Sequence, residues 1–376
     1  MMRTYLRVLT PLFALALLAT ACGGNGDTTD TETQTEPATG TETEAETAGE
    51  TETETEAQAG GGEGTRVGLV FDIGGRGDQS FNDAAYAGLE QAQTELGVET
   101  KFLEPEGGGE NREELLRLLA EDGFPLIFAV GFLFSDSVAA VAPNFPDSTF
   151  GLIDSVVEEP NVASLVFAEE QGSFLVGAIA ALESETGKIG FIGGVETDLI
   201  KKFEAGYVAG AQHINPDIEV DVKYITQPPD FSGFNDPAKG KEIALSQYNA
   251  GADVIYHAAG GSGSGLFDAA KEVSEQGDTK VWAIGVDSDQ YQTADPSVQE
   301  YILTSMLKRV DVAVFETTQS FVNGEDVGGV RVFDLSVDGV GYSQSGGFVD
   351  EYVDQVDDLK QQIIDGEIEV PTTPEG

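Results

Sequence analysis

The sequence predicts an α/β protein of two Rossmann-like lobes joined by a hinge that the chain crosses several times. Three observations predict it. From Arg66 onward, β-branched runs alternate with amphipathic runs, the signature of βαβ units and a parallel sheet. That alternation fills one doubly wound half and then repeats with the same grammar. After the second half the chain returns with a further strand and helix, then another strand and helix, as a bilobed protein with several hinge crossings requires.

The first strand, Val67–Phe71, ends at Asp72, and Gly74, Gly75 and Gly77 let the backbone turn tightly before a helix over Phe81–Leu96. Ala85, Leu89, Ala92 and Leu96 fall on one face of that helix. Ser80 stands where its N-cap belongs, with Asp83 three residues later. Strands over Thr100–Leu103, Leu126–Ala129, Thr149–Ile153 and Val162–Phe167, with helices over Arg112–Glu121 and Ser135–Val141, complete the first half. The second half has strands near Lys188–Ile192, Glu219–Ile225, Val254–Tyr256 and Val281–Ile284, and helices over Ser173–Leu182, Asp198–His213, Ala238–Asn249 and Gly265–Glu275. Tyr301–Met306 then reads as strand, Val310–Val322 as helix, Gly329–Leu335 as strand and Asp350–Asp365 as a last helix. These give a first lobe of 65–168 plus part of 300–345, and a second of 169–290 plus part of 320–370.

A chain of 376 residues with 40% hydrophobic content is long enough for two domains with real cores. Its one cysteine, Cys22, allows no internal disulfide and no CxxC site, and two histidines without an HExxH motif argue against a histidine-rich metal centre. No cofactor is expected. Residues 1–22 place Arg3 and Arg7 before an apolar run from Pro11 to Leu18 and then small residues. This reads as an export signal, its apolar run being about half of the roughly 20 residues that span a bilayer. Cys22 directly after Ala19-Thr20-Ala21 resembles the lipobox of bacterial lipoproteins, although the leucine common three places before the cysteine is here Ala19, with Leu18 one place earlier. Residues 23–64 are Gly, Thr and Glu repeats with no aliphatic side chain larger than alanine, the composition of a disordered acidic tether.

The net charge is −48, and residues 65–376 alone carry 55 acids against 17 bases. So acidic a body repels nucleic acid and anionic lipid and suits a high-salt habitat.

Four strand ends present carboxylates, amides, aromatics or bare backbone: Asp72 with Phe81 and Asn82; Asp154; Tyr256 through Gly265; and Asp287 through Gln290. In open α/β sheets such ends face a ligand crevice. The glycines at 260–265 do not form GxGxxG, and neither GxxxxGK[ST] nor GxSxG occurs, so phosphate-cradle and serine-nucleophile chemistry lack their motifs. Binding without catalysis asks less of these residues. His257 and the single tryptophan, Trp282, read as packed residues.

Five ordered blocks, FDIGGRGDQSFNDAAYAGLEQA, IDSVVEEPNVASLVFAEEQGSFLVGAIAAL, FNDPAKGKEIALSQYNAGADVIYHAAGGSGSGLFDAAKE, WAIGVDSDQ and ILTSMLKRVDVAVFE, resemble the basic membrane protein (PnrA-like) family from about Arg66 to the C-terminus. The resemblance implies the type I periplasmic binding protein fold and an exported lipoprotein that carries nucleosides for an ABC transporter. Carried over by motif, Phe81 is one face stacking on a purine-type base. The other is Tyr256, at a position where the family commonly has phenylalanine. Asn82 and Asp154 bind the base edge with Asp72 beside them, and Asp287, the Gly261 backbone and Lys308 hold the ribose. The expected partners are a nucleoside, a membrane permease and a lipid anchor through Cys22, with the protein a monomer on the extracytoplasmic side. Two other readings use the same lobes: a sensor feeding a membrane signalling protein, and a nucleoside-processing enzyme.

Overall fold

The computed structural model describes residues 61–277 and 279–374; the segment read as an export signal, Cys22, and nearly all of the segment read as an acidic tether lie outside them. The chain opens with β1 (Arg66–Val70), whose last four residues are all buried, as a strand covered on both faces requires. There follow α1 (Phe81–Leu96), β2 (Glu99–Leu103), α2 (Arg112–Glu121), β3 (Leu126–Ala129), α3 (Ser135–Val141), β4 (Thr149–Ile153) and β5 (Val162–Phe167). The second series is α4 (Glu169–Glu183), β6 (Lys188–Val195), α5 (Asp198–Ile214), β7 (Glu219–Thr226), α6 (Pro237–Asn249), β8 (Val254–Ala258), α7 (Ser264–Gln276), β9 (Trp282–Asp287), α8 (Gln290–Thr293) and β10 (Ile302–Lys308). The chain ends with α9 (Val310–Val322), β11 (Gly329–Phe333), β12 (Val340–Tyr342) and α10 (Val353–Ile364).

The strands form two six-stranded sheets, in the orders β2-β1-β3-β4-β5-β11 and β7-β6-β8-β9-β10-β12. The first is parallel throughout, and the second is parallel except for β12, which runs against β10. The orders match strand for strand, so β4 and β9 hold equivalent places. The described chain passes between the lobes three times: after β5, after β10, and between β11 and β12. Backbone bonds tie these passages together, Ala168 N–H to Phe333 O at 3.0 Å and Arg309 N–H to Gly339 O at 2.9 Å.

Several elements depart from the pattern reading. β10 pairs with β9 and belongs to the second sheet, outside the 169–290 and 320–370 expected for that lobe, and the return to the first lobe begins at α9, within the expected 300–345. β12 and α8 are too short, at three and four residues, to carry a period. α4 starts at Glu169, four residues before Ser173, because its first turn is acidic. Carboxylates are favourable beside the helix N-terminal dipole, but they hide the start of the apolar stripe. Trp282 is only half-buried, with Lys280 Nζ 3.7 Å above its ring.

α4 and α5 pack in close contact through small residues. A Cβ on Gly177 would overlap the Tyr207 carbonyl, one on Gly206 the Glu170 carbonyl, and one on Gly210 the Phe174 carbonyl.

Candidate functional site

The carboxyl ends of β1, β3 and β4 face those of β8, β9 and β10 across a cavity of about 610 Å³, open solvent at its mouth included. Asp154 directly follows β4 and Asp287 ends β9, with φ +70° and +64°, left-handed values that aspartate tolerates better than most residues. Matching strands of the two lobes thus each turn an aspartate into the cleft. Gly131, at φ +108° after β3, is needed because any Cβ there would strike the Asp72 carboxylate.

Lys308, the last residue of β10, sits where the lobes meet. Its side chain is 2% exposed, and Nζ lies 2.6 Å from Asp154 Oδ2 and 3.3 Å from Glu169 Oε1. The rings of Phe81, Phe167 and Phe203 surround the ammonium at 5.0, 5.0 and 5.6 Å. Burial alone would lower the lysine pKa, but Asp154, Glu169 and Asp287 outweigh it and raise it, so Lys308 stays charged. Burial raises the Asp154 carboxyl, Lys308 pulls it back, Glu169 and Asp287 add to the rise, and it is pushed up to about 7. Burial also raises Asp287. Asp154 Oδ1 has no hydrogen-bond partner although Asp154 lines the cavity. A buried carboxylate oxygen in that state is an acceptor awaiting an N–H or O–H.

The loop between β1 and α1 is held by Asp78, which the pattern reading passed over. Asp78 Oδ2 accepts from the Asn82 backbone at 2.9 Å, and Oδ1 accepts from the Ser80 and Asp83 backbones at 3.0 and 3.1 Å. Ser80 therefore does not cap α1 with its side chain; its Oγ donates to Asp287 Oδ2 across the cleft at 2.5 Å. Asn82 lines the cavity, but Oδ1 accepts from Asp72 N–H, and Nδ2 donates to Asp78 Oδ2 and toward Ile73 O. Its amide thus holds the loop, leaving no donor for a ligand. Asp72 also lines the cavity, paired with Arg112 at 2.8 Å; burial raises its carboxyl against the pull of that guanidinium.

Two expected contacts are not where the motif carry-over put them. Tyr256 is fully buried and does not border the cavity: it packs on Phe191 and Tyr207 and lies 3.3 Å from Ser173 Oγ. β8 runs on to Ala258, so Tyr256 sits one pleat too deep to reach the strand end. The backbone that borders the cavity is Ala258, Ala259 and Gly260, the last at φ +55°, rather than Gly261. The cavity that Phe81 borders is also lined by Phe203 on α5 and Phe234 before α6 from the second lobe, and by Phe132 after β3. Sequence reasoning missed these three, because a phenylalanine on an amphipathic helix or in a loop carries no sign of a cavity. Glu169 was missed for the same reason that α4 was started late.

Two lobes of mainly parallel sheet with a polar-tipped cleft between them, crossed three times at one hinge, are the plan of the type I periplasmic binding protein fold. A solved relative agrees: an ABC transporter solute-binding protein from Aeropyrum pernix K1 superposes with a TM-score of 0.72 at 32% identity, covering 83% of this chain and 94% of its own. The family model for ABC transporter substrate-binding protein, PnrA-like, matches residues 65–374, and the chain belongs to that family. It is a substrate-binding component and not an enzyme. The ABC transporter nucleoside-binding protein BmpA of Lactococcus lactis subsp. cremoris is 36% identical over 320 residues, 82% of this chain and 89% of that protein. An uncharacterized lipoprotein of Pyrococcus abyssi is 37% identical over 283 residues, 74% of this chain and 68% of that protein. No helix among the described residues is long and apolar enough to cross a membrane.

Proposed function

We propose that this chain captures a nucleoside, a purine nucleoside foremost, and delivers it to an ABC permease while anchored through lipidated Cys22 on the extracytoplasmic face as a monomer. The observation that carries the reading is the convergence of Asp154 and Asp287 on an apolar cavity bordered by Phe81, with Asp154 Oδ1 unpartnered. A nucleoside brings what that cavity lacks: a flat ring for the aromatic walls, and N–H and O–H donors for the carboxylates. Phe81 stacks on the base, with Phe203 or Phe234 opposite in the place assigned to Tyr256. Asp154 takes the base edge, Asp287 and Lys308 the ribose, with the Gly260 backbone serving in place of Gly261. Asp72 and Asn82 shape the wall. The lipoprotein relative supports the anchor, and BmpA supports the ligand class.

Isothermal titration with inosine, guanosine and adenosine tests this. Asp287→Ala is expected to weaken binding by roughly 10- to 100-fold, the worth of a charged hydrogen bond. Binding absent for every nucleoside but present for sugars or amino acids would overturn the ligand assignment.

A further inference from the structure

Beside the cavity the two lobes are joined by a second set of contacts. Gln290 Nε2, at the start of α8, donates to the Gln79 carbonyl of the first lobe at 3.0 Å, and Ser288 Oγ donates to the Ser80 carbonyl at 3.1 Å. Gln79 is held at φ +55°, and its own N–H donates to Asp83 Oδ2 at 2.8 Å. Neither Gln290 nor His257 borders the cavity. Gln290 is nonetheless 1% exposed and His257 fully buried.

The Gln290 amide can face only one way. Its Oε1 accepts from the Val286 backbone N–H at 2.9 Å, so an NH2 placed there would meet a donor, and the other end meets a carbonyl. Oε1 also lies 3.0 Å from His257 Nε2. An oxygen that already accepts requires that nitrogen to carry its hydrogen, leaving Nδ1 as the bare lone pair, and Nδ1 has no partner. The ring is held edge-on to Phe267, and a Cβ on Gly263 would overlap it. The histidine thus offers one fixed donor to one amide, and that amide reaches the other lobe.

We infer that Gln290 is a latch holding the lobes closed and that His257 is a positioning residue for it, acting only by fixing the amide. The latch rests on the nucleoside reading solely for the choice of ligand. Gln290→Leu removes the amide's bond to the first lobe and leaves the Ser288 contact and Thr293 Oγ1, 3.5 Å from the same Gln79 carbonyl, in place. His257→Met keeps the ring's bulk without a donor, and His257→Gln restores an N–H near the imidazole Nε2.

Stopped-flow dissociation of inosine and small-angle scattering of the ligand-free protein read the outcome. Gln290→Leu and His257→Met are expected to speed release roughly five- to tenfold, with association within about twofold, and to enlarge the ligand-free radius of gyration. His257→Gln stays within about twofold of the parent, and the Leu/Met double variant is no faster than Gln290→Leu alone. Equal effects of His257→Met and His257→Gln, or additive effects in the double variant, would overturn the role of His257. Release and scattering unchanged in Gln290→Leu would overturn the latch. If the parent binds no nucleoside, the ligand reading fails, and the scattering comparison still decides the latch.

Discussion

Lys308 is a charge kept deep in the protein by three carboxylates and three aromatic faces, and the arrangement leaves the cluster with more negative than positive groups. The opposite case is His257, which burial drives down to about 4 from an ordinary 6.5. A histidine pKa depressed in the folded state stabilises the fold above 6.5 and loses that contribution as pH falls through 4. Relative to His257→Gln, the parent should therefore lose about 3 kcal/mol of unfolding free energy between pH 6.5 and pH 4, measured by urea denaturation at each pH. The places of Asp154 and Asp287 at strand ends beside the cavity were legible in the sequence because each directly follows an apolar strand run, as does Asp72, which Arg112 pairs instead. Tyr256 misled because the run it belongs to continues two residues further, and a step of two along a strand moves a side chain by a full pleat without changing its face. Asp78 was hidden behind Ser80, a residue type equally suited to cap a helix. What decided between them was the presence of Asp287 across the cleft, which a sequence does not display.

Among the described elements, α4 and α5 tolerate little between them. Their glycines remove side chains where one backbone meets the other, so Gly210→Ala should cost about 1–3 kcal/mol, read as a lower thermal midpoint by circular dichroism. Nucleoside affinity just below the transition should be nearly unchanged, since Gly210 does not border the cavity. The long elements were legible from their periods. α8 and β12 were not, and they matter: α8 starts with Gln290, while β12 closes the edge of the second sheet. Elements this short are fixed by tertiary partners, Ser305 Oγ accepting from Gln290 N–H in one case and β10 pairing in the other.

At the scale of the molecule, charge is the dominant unusual property. Fifty-five acids against 17 bases over 65–376 repel one another, and screening should relieve that. The thermal midpoint is expected to rise steadily from low salt to several molar KCl by differential scanning fluorimetry; a flat or falling curve would count against a high-salt adaptation. The two-lobe plan was legible because its strand grammar repeats. The passages between lobes were not placeable, since nothing in a parallel strand says which sheet it will join, and β10 went to the second. Those passages bear on how the chain is made. The first sheet lacks its edge strand, and α1 lacks α9 beside it, until residue 333 has been synthesised. The second sheet waits for β12 at 342. Neither sheet therefore has all six of its strands until nearly nine-tenths of the chain has been made. An emerging polypeptide in that condition stays threadable, which is the form a translocation pore accepts.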